Sequence, residues 1–285
     1  MRLGIVGLGL VGNALARRLL SAGYDVCGYD IAEPACKRAQ QLGVEGLSDA
    51  HQVAEKVGTI LLSLMTSEDR RNLLWGDQAL AAVLTPGTLI LDTTTARPED
   101  ILDDHARLAE QDVRLIDVCL SGSSQVIAEG RALALVGDKE ENASYRDILA
   151  AFSKAQYYFG APGQGNRVKL IVNLAFGLNR LVLAEALGLA AKGGFDLDVV
   201  LQLLKEGETY SVVMDTKGPK MVSGVYEPVV ARLAQHLKDV RLIIDYAEDV
   251  GARVPLSEVN ARLIEEVVDA GGGELDNAAV FKAYL

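Results

Sequence analysis

The 285-residue sequence has few aromatic residues and few cysteines, and both scarcities narrow its class. Phe, Trp and Tyr make up only 5% of the chain, so its cores must be filled mainly by Leu, Val, Ile and Ala. The three cysteines, Cys27, Cys36 and Cys119, show no CxxC or CxxH spacing. An odd number of unpatterned cysteines argues against a disulfide framework and predicts a reducing, cytoplasmic location.

Positive charge and long apolar runs are also scarce. The net charge is −11, whereas nucleic acids are bound by clustered Lys and Arg, so we expect no nucleic-acid partner. The runs Thr59–Met65 and Leu181–Ala191 are too short or too interrupted to predict a membrane span, and we expect no membrane partner. Met1–Gly12 has one positive charge and a glycine turn, which predicts a buried strand rather than a signal peptide.

The first half of the chain alternates apolar runs with helical stretches. The runs that predict strands are Leu3–Val6, Val26–Tyr29, Thr59–Leu64, Thr88–Asp92, Leu115–Val118, Ala132–Val136 and Gln156–Phe159. The helical stretches are Ala14–Ala22, Ala35–Leu42, Asp69–Leu74, Pro98–Gln111 and one near Glu141–Phe152. This alternation predicts an α/β fold with a doubly wound, mostly parallel sheet of the Rossmann type.

The pattern becomes entirely helical after about Gly165. Asn166–Lys192 has no proline and is apolar on most faces, which predicts one long interdomain helix. Helical periods follow at Leu197–Lys205, Ser211–Met221, Val229–Val250 and Ser257–Ala270. We predict a dinucleotide-binding domain at residues 1–162 and an all-α substrate and dimerisation domain at residues 163–285. Because such a long helix often packs on a second subunit, we expect a homodimer or homotetramer.

A glycine-rich turn follows the first predicted strand. The segment Gly7-Leu8-Gly9-Leu10-Val11-Gly12 fits the G-x-G-x-x-G pattern and opens a helix. Gly7 would allow the tight turn, Gly9 the approach of a pyrophosphate, and Gly12 the packing of helix on strand. The helix N-terminus would then offer its N–H groups to the phosphates. These features predict a nicotinamide-dinucleotide site.

Asp30 ends the second predicted strand, close to the spacing expected of a carboxylate that binds the adenosine ribose. The next residues, Ile31-Ala32-Glu33, include no arginine, and Glu33 would repel a 2′-phosphate. The sequence therefore favours NAD, with NADP as the lesser alternative. A tight strand–helix turn with an unrelated surface aspartate would give the same pattern.

Three further motifs extend the argument to the rest of the chain. They are Asp92–Pro98 (DTTTARP), Asp117–Ser123 (DVCLSGS), and Gly163–Lys169 (GQGNRVK) followed by Asn173. With the glycine turn, they resemble the β-hydroxyacid dehydrogenase family, which includes 3-hydroxyisobutyrate dehydrogenases and tartronate semialdehyde reductases. The resemblance covers nearly all 285 residues. It implies hydride transfer between NAD and a small, anionic β-hydroxyacid or its semialdehyde.

Alcohol oxidation needs a base for the hydroxyl proton, and the reverse reaction needs the corresponding acid. A lysine can do both if burial and neighbouring positive charge lower its pKa. Lys169 is the catalytic residue implied by the resemblance, and Asn173 follows it by one helical turn on the same face. The amide could orient the substrate hydroxyl or the lysine. The alternative is that Lys169 only solvates a helix surface.

The resemblance also implies roles for residues outside that helix. Ser121, Gly122 and Ser123 would bind the substrate. Leu64 and Met65 would contact the adenine side of the cofactor, and Thr95 would lie near the nicotinamide ribose. Lys238 in Leu237-Lys238-Asp239-Val240 would close over the nicotinamide, anchored by Asp239. Met65 replaces the family's proline, and Ser123 replaces a glycine.

One departure concerns substrate size. Ala231 stands where the family often has an aromatic residue, and Arg232 follows it. We interpret this as a pocket for a longer or more anionic substrate, with Arg232 binding it. Lys169, Lys238, Arg167 and Arg232 together could supply the local positive potential that the chain's net charge lacks.

Several alternatives stay open at this point. A reductase of a sulfonated or phosphonated aldehyde would need the same arginine and serines. An imine reductase shares the two-domain plan but usually lacks the lysine. A non-catalytic dinucleotide-binding scaffold would also lack the catalytic lysine. The three histidines show no metal-ligand spacing, so we predict no metal, and we expect His236 at the surface.

Overall fold

The computed structural model describes residues 1–77, 79–140 and 144–285. The chain forms two compact units, Met1–Lys169 and Leu170–Leu285. The first is an α/β unit and the second is helical. Each is described separately below.

The first unit is built on an eight-stranded sheet with the order β3-β2-β1-β4-β5-β6-β7-β8. The strands are β1 (Arg2–Val6), β2 (Asp25–Tyr29), β3 (Glu45–Gly46), β4 (Thr59–Leu62), β5 (Leu89–Asp92), β6 (Arg114–Ser121), β7 (Ala132–Val136) and β8 (Ser153–Tyr158). All neighbouring pairs are parallel except β6 and β7. The predicted doubly wound, mostly parallel sheet is confirmed, and its strand order reverses beside β1.

Among the described residues, seven α-helices and a 3₁₀ turn at Leu80–Ala82 lie wholly in this unit. The α-helices are α1 (Leu10–Ser21), α2 (Glu33–Gln41), α3 (Ala50–Lys56), α4 (Ser67–Trp75), α5 (Pro98–Ala109), α6 (Ser124–Ala128) and α7 (Arg146–Ala150). The helix predicted near Glu141–Phe152 corresponds to α7, while residues 141–143 lie outside the described residues. The sequence predicts a polar helical stretch around His51, which corresponds to α3. The sequence patterns did not predict β3 or α6, because elements of two to five residues are too short to show a clear period.

Strand register brings the predicted cofactor motifs to one edge of the sheet. Val6 of β1 is the parallel partner of both Tyr29 on β2 and Leu62 on β4, and Leu62 is the partner of Asp92 on β5. Loops that leave these four strand ends therefore start side by side. In open α/β sheets this carboxyl edge is where ligands bind.

The second unit continues from the long helix α8 (Gln164–Lys192). Its other elements are α9 (Leu197–Glu206), α10 (Val212–Thr216), α11 (Gly218–Ser223), α12 (Leu233–Asp249), α13 (Pro255–Val267), a π-helical turn at Val268–Gly272 and a 3₁₀ segment at Asn277–Tyr284. The helix predicted at Ser211–Met221 is in fact two helices that meet at Lys217, where φ is −122°.

Helix α12 begins four residues later than the predicted Val229. The segment before it is held by other bonds, since the Val230 N–H donates to Asp276 and the Asn277 N–H donates to Ala231. Asp276 is fully buried and also pairs with Lys217 at 2.7 Å and Lys220 at 3.1 Å. Burial alone would raise the pKa of Asp276, but the hydrogen bond and charge of Lys217 lower it overall. This carboxylate therefore organises the non-helical part of the second unit.

By length and composition alone, α8 could cross a membrane. The sequence led us to expect that no apolar stretch is long enough to span a membrane, and the full length of α8 does not support that expectation. The core helices of soluble proteins meet the same criterion, and α8 carries Arg180, which is buried in the second unit. The absence of a membrane partner stays a prediction.

Candidate active site

The glycine turn after β1 has the backbone that the fingerprint requires. Gly7 has a φ of +93°, and a Cβ there would lie 2.3 Å from the carbonyl oxygen of Ser63. A Cβ on Gly12 would lie 1.9 Å from the Gly7 oxygen, so α1 can approach the turn only without a side chain. Gly9 differs, because its Cβ would meet no protein atom within 4 Å. The turn is thus tight on the protein side and open at Gly9.

Asp30 is tied directly to this turn. Its carboxylate accepts the Leu8 N–H on Oδ2 at 2.6 Å and the Ala32 N–H on Oδ1 at 2.7 Å. The side chain remains partly exposed, and Ile31 beside it is 91% exposed. Each carboxylate oxygen has a second lone pair, so Asp30 can still accept hydrogen bonds from a diol. Leu10 and Val11 begin α1 with no side-chain cap on their N–H groups.

The loops after β4 and β5 are joined to each other. The Leu64 N–H donates to Thr94 Oγ1 at 3.2 Å, and the Thr94 N–H donates to Asp92 Oδ1 at 3.0 Å. Met65 is half exposed and Thr95 is partly buried. The structure therefore places all three predicted cofactor residues of this region, Leu64, Met65 and Thr95, on two mutually bonded loops.

Asp117 holds the start of α8. This fully buried carboxylate on β6 accepts the Gly163 N–H and the Asn166 N–H, each at 2.9 Å. Asn166 is also fully buried, and its Oδ1 accepts the Ala96 N–H at 2.8 Å. Burial raises the pKa of Asp117, and the two N–H groups oppose that rise. The strand, the loop after β5 and the first turn of α8 are thereby fixed to one another.

Lys169 follows from this fixed start by about one helical turn. Its Nζ donates to the carbonyl oxygen of Leu120 at 2.7 Å, and the side chain is partly buried. Leu120 immediately precedes Ser121, where β6 ends. The lysine predicted to be catalytic is therefore directed at the strand end that carries the predicted substrate residues, rather than solvating a helix surface.

The Ser121–Ser123 segment turns sharply. Gly122 has a φ of +147°, and a Cβ there would lie 2.8 Å from Val126. Ser123 is the N-cap of α6, and its Oγ accepts the Val126 N–H at 3.3 Å. The Ser123 hydroxyl thus already has a structural partner. Ser121 lies at the partly buried end of β6.

The second unit contributes a separate polar group. Asn173 on α8 donates through Nδ2 to Asp239 Oδ2 at 3.1 Å, and Asp239 Oδ1 pairs with Lys238 Nζ at 3.0 Å. The two C-terminal motifs, distant in sequence, therefore meet in one chain of contacts. Because its N–H₂ is used by Asp239, Asn173 has its Oδ1 as acceptor.

The predicted surface position of His236 is wrong, whereas the prediction for Arg232 is untested. His236 is buried, not at the surface, because Gly177 on α8 leaves room for its ring; a Cβ on Gly177 would lie 2.9 Å from it. Arg232 is exposed at the start of α12 and pairs with Glu274 at 3.0 Å. Its predicted role in substrate binding stays a prediction.

Sequence reasoning assigned no role to Asp117 or Asn166, although both fall within motifs. The sequence contains a signal for Asp117, because Asp117 is the one charged residue inside the apolar run Leu115–Leu120. A charge in a buried strand requires hydrogen-bond partners. Asn166 gave no comparable signal, because its partners lie 49 and 70 residues away.

Comparison with known proteins agrees with this geometry. A family model for the NAD binding domain of 6-phosphogluconate dehydrogenase matches residues 2–160. A second, described as the NAD-binding of NADP-dependent 3-hydroxyisobutyrate dehydrogenase, matches residues 163–284. The L-threonate dehydrogenase of Escherichia coli K12 is 30% identical over 284 residues, which is 99% of this chain and 94% of that protein. The chain belongs to the β-hydroxyacid dehydrogenase family.

Two further relatives support this. The 2-(hydroxymethyl)glutarate dehydrogenase of Eubacterium barkeri is 26% identical over 286 residues, covering 100% of this chain and 95% of that one. The crystal structure of 3-hydroxyisobutyrate dehydrogenase from Salmonella typhimurium has a TM-score of 0.91 at 26% identity and covers 99% of both chains. This β-hydroxyacid dehydrogenase is therefore an NAD(P)-dependent oxidoreductase, as predicted.

The glycine turn of this dehydrogenase fits the dinucleotide. Open space at Gly9 suits a pyrophosphate, the uncapped N–H groups of α1 suit its negative charge, and Asp30 suits a ribose diol.

Substituting alanine at Gly9 and Gly12 separates binding from folding. Gly9→Ala adds a methyl group only to the open space, so we expect an unchanged melting temperature but about tenfold weaker NADH binding, or roughly 1.4 kcal/mol. Gly12→Ala forces α1 away from Gly7, so we expect a loss of roughly 1–3 kcal/mol in stability. Thermal unfolding and calorimetric titration with NADH measure both. Normal NADH affinity in a folded Gly9→Ala variant would contradict the placement of the pyrophosphate.

Proposed function

We propose that this dehydrogenase transfers a hydride between NAD and a small β-hydroxyacid or its semialdehyde, with Lys169 as the general acid and base. The observation that carries the proposal is the 2.7 Å hydrogen bond from Lys169 Nζ to the Leu120 carbonyl. It directs a proton-carrying group to the end of β6, beside Ser121. NAD(H), when bound, accepts or supplies the hydride, and the protein must manage the proton and the substrate charge.

The substrate class follows from the relatives and from the β6 end. Their names include L-threonate dehydrogenase, 2-(hydroxymethyl)glutarate dehydrogenase and glyoxylate/succinic semialdehyde reductase. All of these names describe small carboxylates that bear an alcohol or carbonyl group. In this chain, the Ser121 hydroxyl and the backbone around Gly122 would bind the carboxylate, and Ser123 would help through its backbone, because its hydroxyl caps α6.

Proton transfer falls to Lys169. In the reducing direction its ammonium group would protonate the alkoxide, and in the oxidising direction the neutral amine would accept the hydroxyl proton. Asn173 would orient the Lys169 ammonium group by accepting from it through Oδ1, because Asn173 Nδ2 donates to Asp239 and the single hydroxyl proton goes to Lys169. Lys238, paired with the same aspartate, would contact the nicotinamide side of the cofactor.

Substitution of Lys169 tests the chemical step. In Lys169→Met we expect kcat on a semialdehyde panel to fall by roughly 10²–10⁴ because the acid is lost, with NADH affinity maintained. The matched control is Lys192→Met, an exposed lysine at the far end of α8. Steady-state kinetics with a panel of semialdehydes, including sulfonated and phosphonated ones, would also identify the anion. Equal kcat in the Lys169 and Lys192 variants would refute the assignment.

We further propose that NAD is preferred over NADP. A 2′-phosphate would lie against the negative charge of Asp30, whose two oxygens are already held by Leu8 and Ala32. Glu33 adds a second negative charge nearby in sequence, and Ile31 offers no cation.

The ratio of kcat/KM for NADH to that for NADPH checks this preference. We expect the ratio to exceed about tenfold in the wild type, the equivalent of roughly 1.4 kcal/mol. It should fall below one in Asp30→Ser combined with Ile31→Arg, because an arginine can bind the phosphate. The single variant Ile31→Leu is the control. A wild-type ratio near one would contradict the proposal.

We also propose that the protein acts in the cytoplasm as a homodimer or homotetramer. On α8, Ile171, Val182 and Leu189 are 57%, 65% and 77% exposed. Their spacings of 11 and 7 residues place them on one face of the helix. On α9, Val199 and Leu203 are similarly exposed. Apolar faces of this kind favour burial against another copy.

Light scattering of the purified protein checks the assembly. We expect a mass of at least twice the 30.4 kDa of one chain, and dissociation when Val182 and Leu189 are both changed to Asp, because charge opposes burial of the face. Glu248→Gln, at an exposed position on α12, is the control, because Glu185 shares the face of Val182 and Leu189. A wild-type mass of one chain at micromolar concentration would contradict the proposal.

A further inference from the structure

A fully buried arginine lies behind the loops that follow β4 and β5. Arg70 on α4 is 0% exposed and binds two buried carboxylates in different directions. Its Nη1 donates to Asp92 Oδ2 at 2.9 Å, and its Nε donates to Asp104 Oδ2 at 2.8 Å. We call Arg70, Asp92 and Asp104 the buried triad. It joins α4, the end of β5 and α5.

Stability alone does not account for the buried triad. Removing one guanidinium and two carboxylates from water costs several kcal/mol per ion, and apolar side chains of similar volume often stabilise a core as well or better. What an arginine adds is geometry, because its planar fork fixes two carboxylates at once. The useful question is therefore what those carboxylates hold.

The Asp92 arm of the triad leads to the cofactor loops. Asp92 Oδ1 accepts the Thr94 N–H, and Thr94 Oγ1 accepts the Leu64 N–H. Arg70 is thus connected through two further hydrogen bonds to the backbone of both loops. Removing the guanidinium would leave Asp92 with an uncompensated charge, which favours rotation or protonation of the carboxylate that orders Thr94.

The Asp104 arm leads in the other direction. Asp104 Oδ1 accepts the Trp75 Nε1–H at 2.7 Å, and the Arg107 guanidinium stacks 3.6 Å from the centre of that indole ring. No hydrogen bond recorded among the described residues connects Asp104 to Leu64 or Thr94. In both arms Arg70 donates to a buried aspartate. The arms differ in the group that the aspartate then binds, which is the Thr94 N–H for Asp92 and the Trp75 indole N–H for Asp104.

We propose that Arg70 is a positioning residue for the nicotinamide half of the cofactor site. Without touching the cofactor, it fixes the Thr94–Thr95 loop, which carries the residue predicted beside the nicotinamide ribose, through Asp92. The Leu64–Met65 loop, predicted on the adenine side, is linked to it more remotely through Thr94 Oγ1. The pyrophosphate and adenosine ribose contacts at Gly7–Gly12 and Asp30 do not depend on it. This inference rests on the proposed placement of the cofactor along these loops.

The experiment compares Arg70→Met with Asp104→Asn as the matched control. Calorimetric titration with NADH and with ADP separates the whole cofactor from its adenosine diphosphate half, and thermal unfolding measures stability. For Arg70→Met we expect NADH to bind about tenfold more weakly, a loss of roughly 1.4 kcal/mol. We expect ADP to weaken by less than about threefold, because its pyrophosphate and ribose contacts at Gly7–Gly12 and Asp30 are unchanged. For Asp104→Asn we expect a lower melting temperature with unchanged affinity for both ligands.

Tryptophan emission and a second Arg70 variant keep the experiment decisive if the first variant disturbs the Asp104 arm or does not fold. Trp75 is the only tryptophan, so its emission reports directly whether the Asp104 arm is intact in each variant. If Arg70→Met does not fold, Arg70→Lys replaces it, because a single ammonium lacks the fork that binds both carboxylates. For this variant we expect selective weakening of NADH binding, by a smaller factor.

The outcomes distinguish failure of the positioning role of Arg70 from failure of the proposed function. Weakening of NADH and ADP binding by the same factor in Arg70→Met, or equal NADH weakening in Asp104→Asn, would overturn the positioning role and leave only a structural one. Normal NADH affinity in a folded Arg70 variant would overturn it too. If the wild type bound neither NADH nor NADPH, the proposed function itself would fail.

Discussion

The buried carboxylate of Asp117 is the constraint on which the rest of the first unit depends. Helix α8 must begin at a defined place, since Lys169 lies in its second turn, and Asp117 accepts two of the N–H groups at that start. The space around it is so narrow that a Cβ on Gly137 would lie 1.9 Å from Oδ1. Gly137 is thus required by the carboxylate, whereas a Cβ on Gly165 would lie 2.5 Å from the Leu135 carbonyl oxygen and 2.8 Å from Asp117 Oδ2.

Asp117 also shows how a chain with a net charge of −11 uses negative charge internally. Asp92 is its register partner on the neighbouring strand, and both carboxylates order the loop that follows β5. Asp276, which is also fully buried, and Asp30, which is partly exposed, accept other backbone N–H groups in the same way. These carboxylates replace some of the turn hydrogen bonds that backbone alone would supply, and where they are buried each N–H partly offsets the cost of desolvation.

Acidic neighbours also reduce the local positive potential that the sequence led us to expect near the substrate. Of the four basic residues considered, Arg167 is 3.7 Å from Glu99, Arg232 is 3.0 Å from Glu274, and Lys238 is 3.0 Å from Asp239. Each of these cations is largely compensated by its neighbour. An anionic substrate must therefore be recognised mainly by directed hydrogen bonds and by Lys169, rather than by a broad positive field.

The sequence could predict those parts of the fold and site that depend on local pattern. The glycine turn, the strand ends and the spacing of Lys169 and Asn173 are all encoded within a few residues, and the parallel sheet follows from alternation. Contacts between distant residues left no periodic signal. The Asn173–Asp239 bond spans 66 residues and the Arg70–Asp104 bond spans 34, so their roles emerged only from the folded structure.

His236 illustrates this limit and sharpens the assignment of the proton carrier. Near Lys238 in sequence, a histidine is a reasonable acid or base, because its ordinary pKa is close to neutrality. In the structure it is buried beside Gly177, and burial, Arg180 and Lys217 lower the pKa of His236 well below its ordinary value. It therefore stays neutral across the physiological range. Lys169, partly buried and hydrogen-bonded at the end of β6, therefore stays the proposed proton carrier.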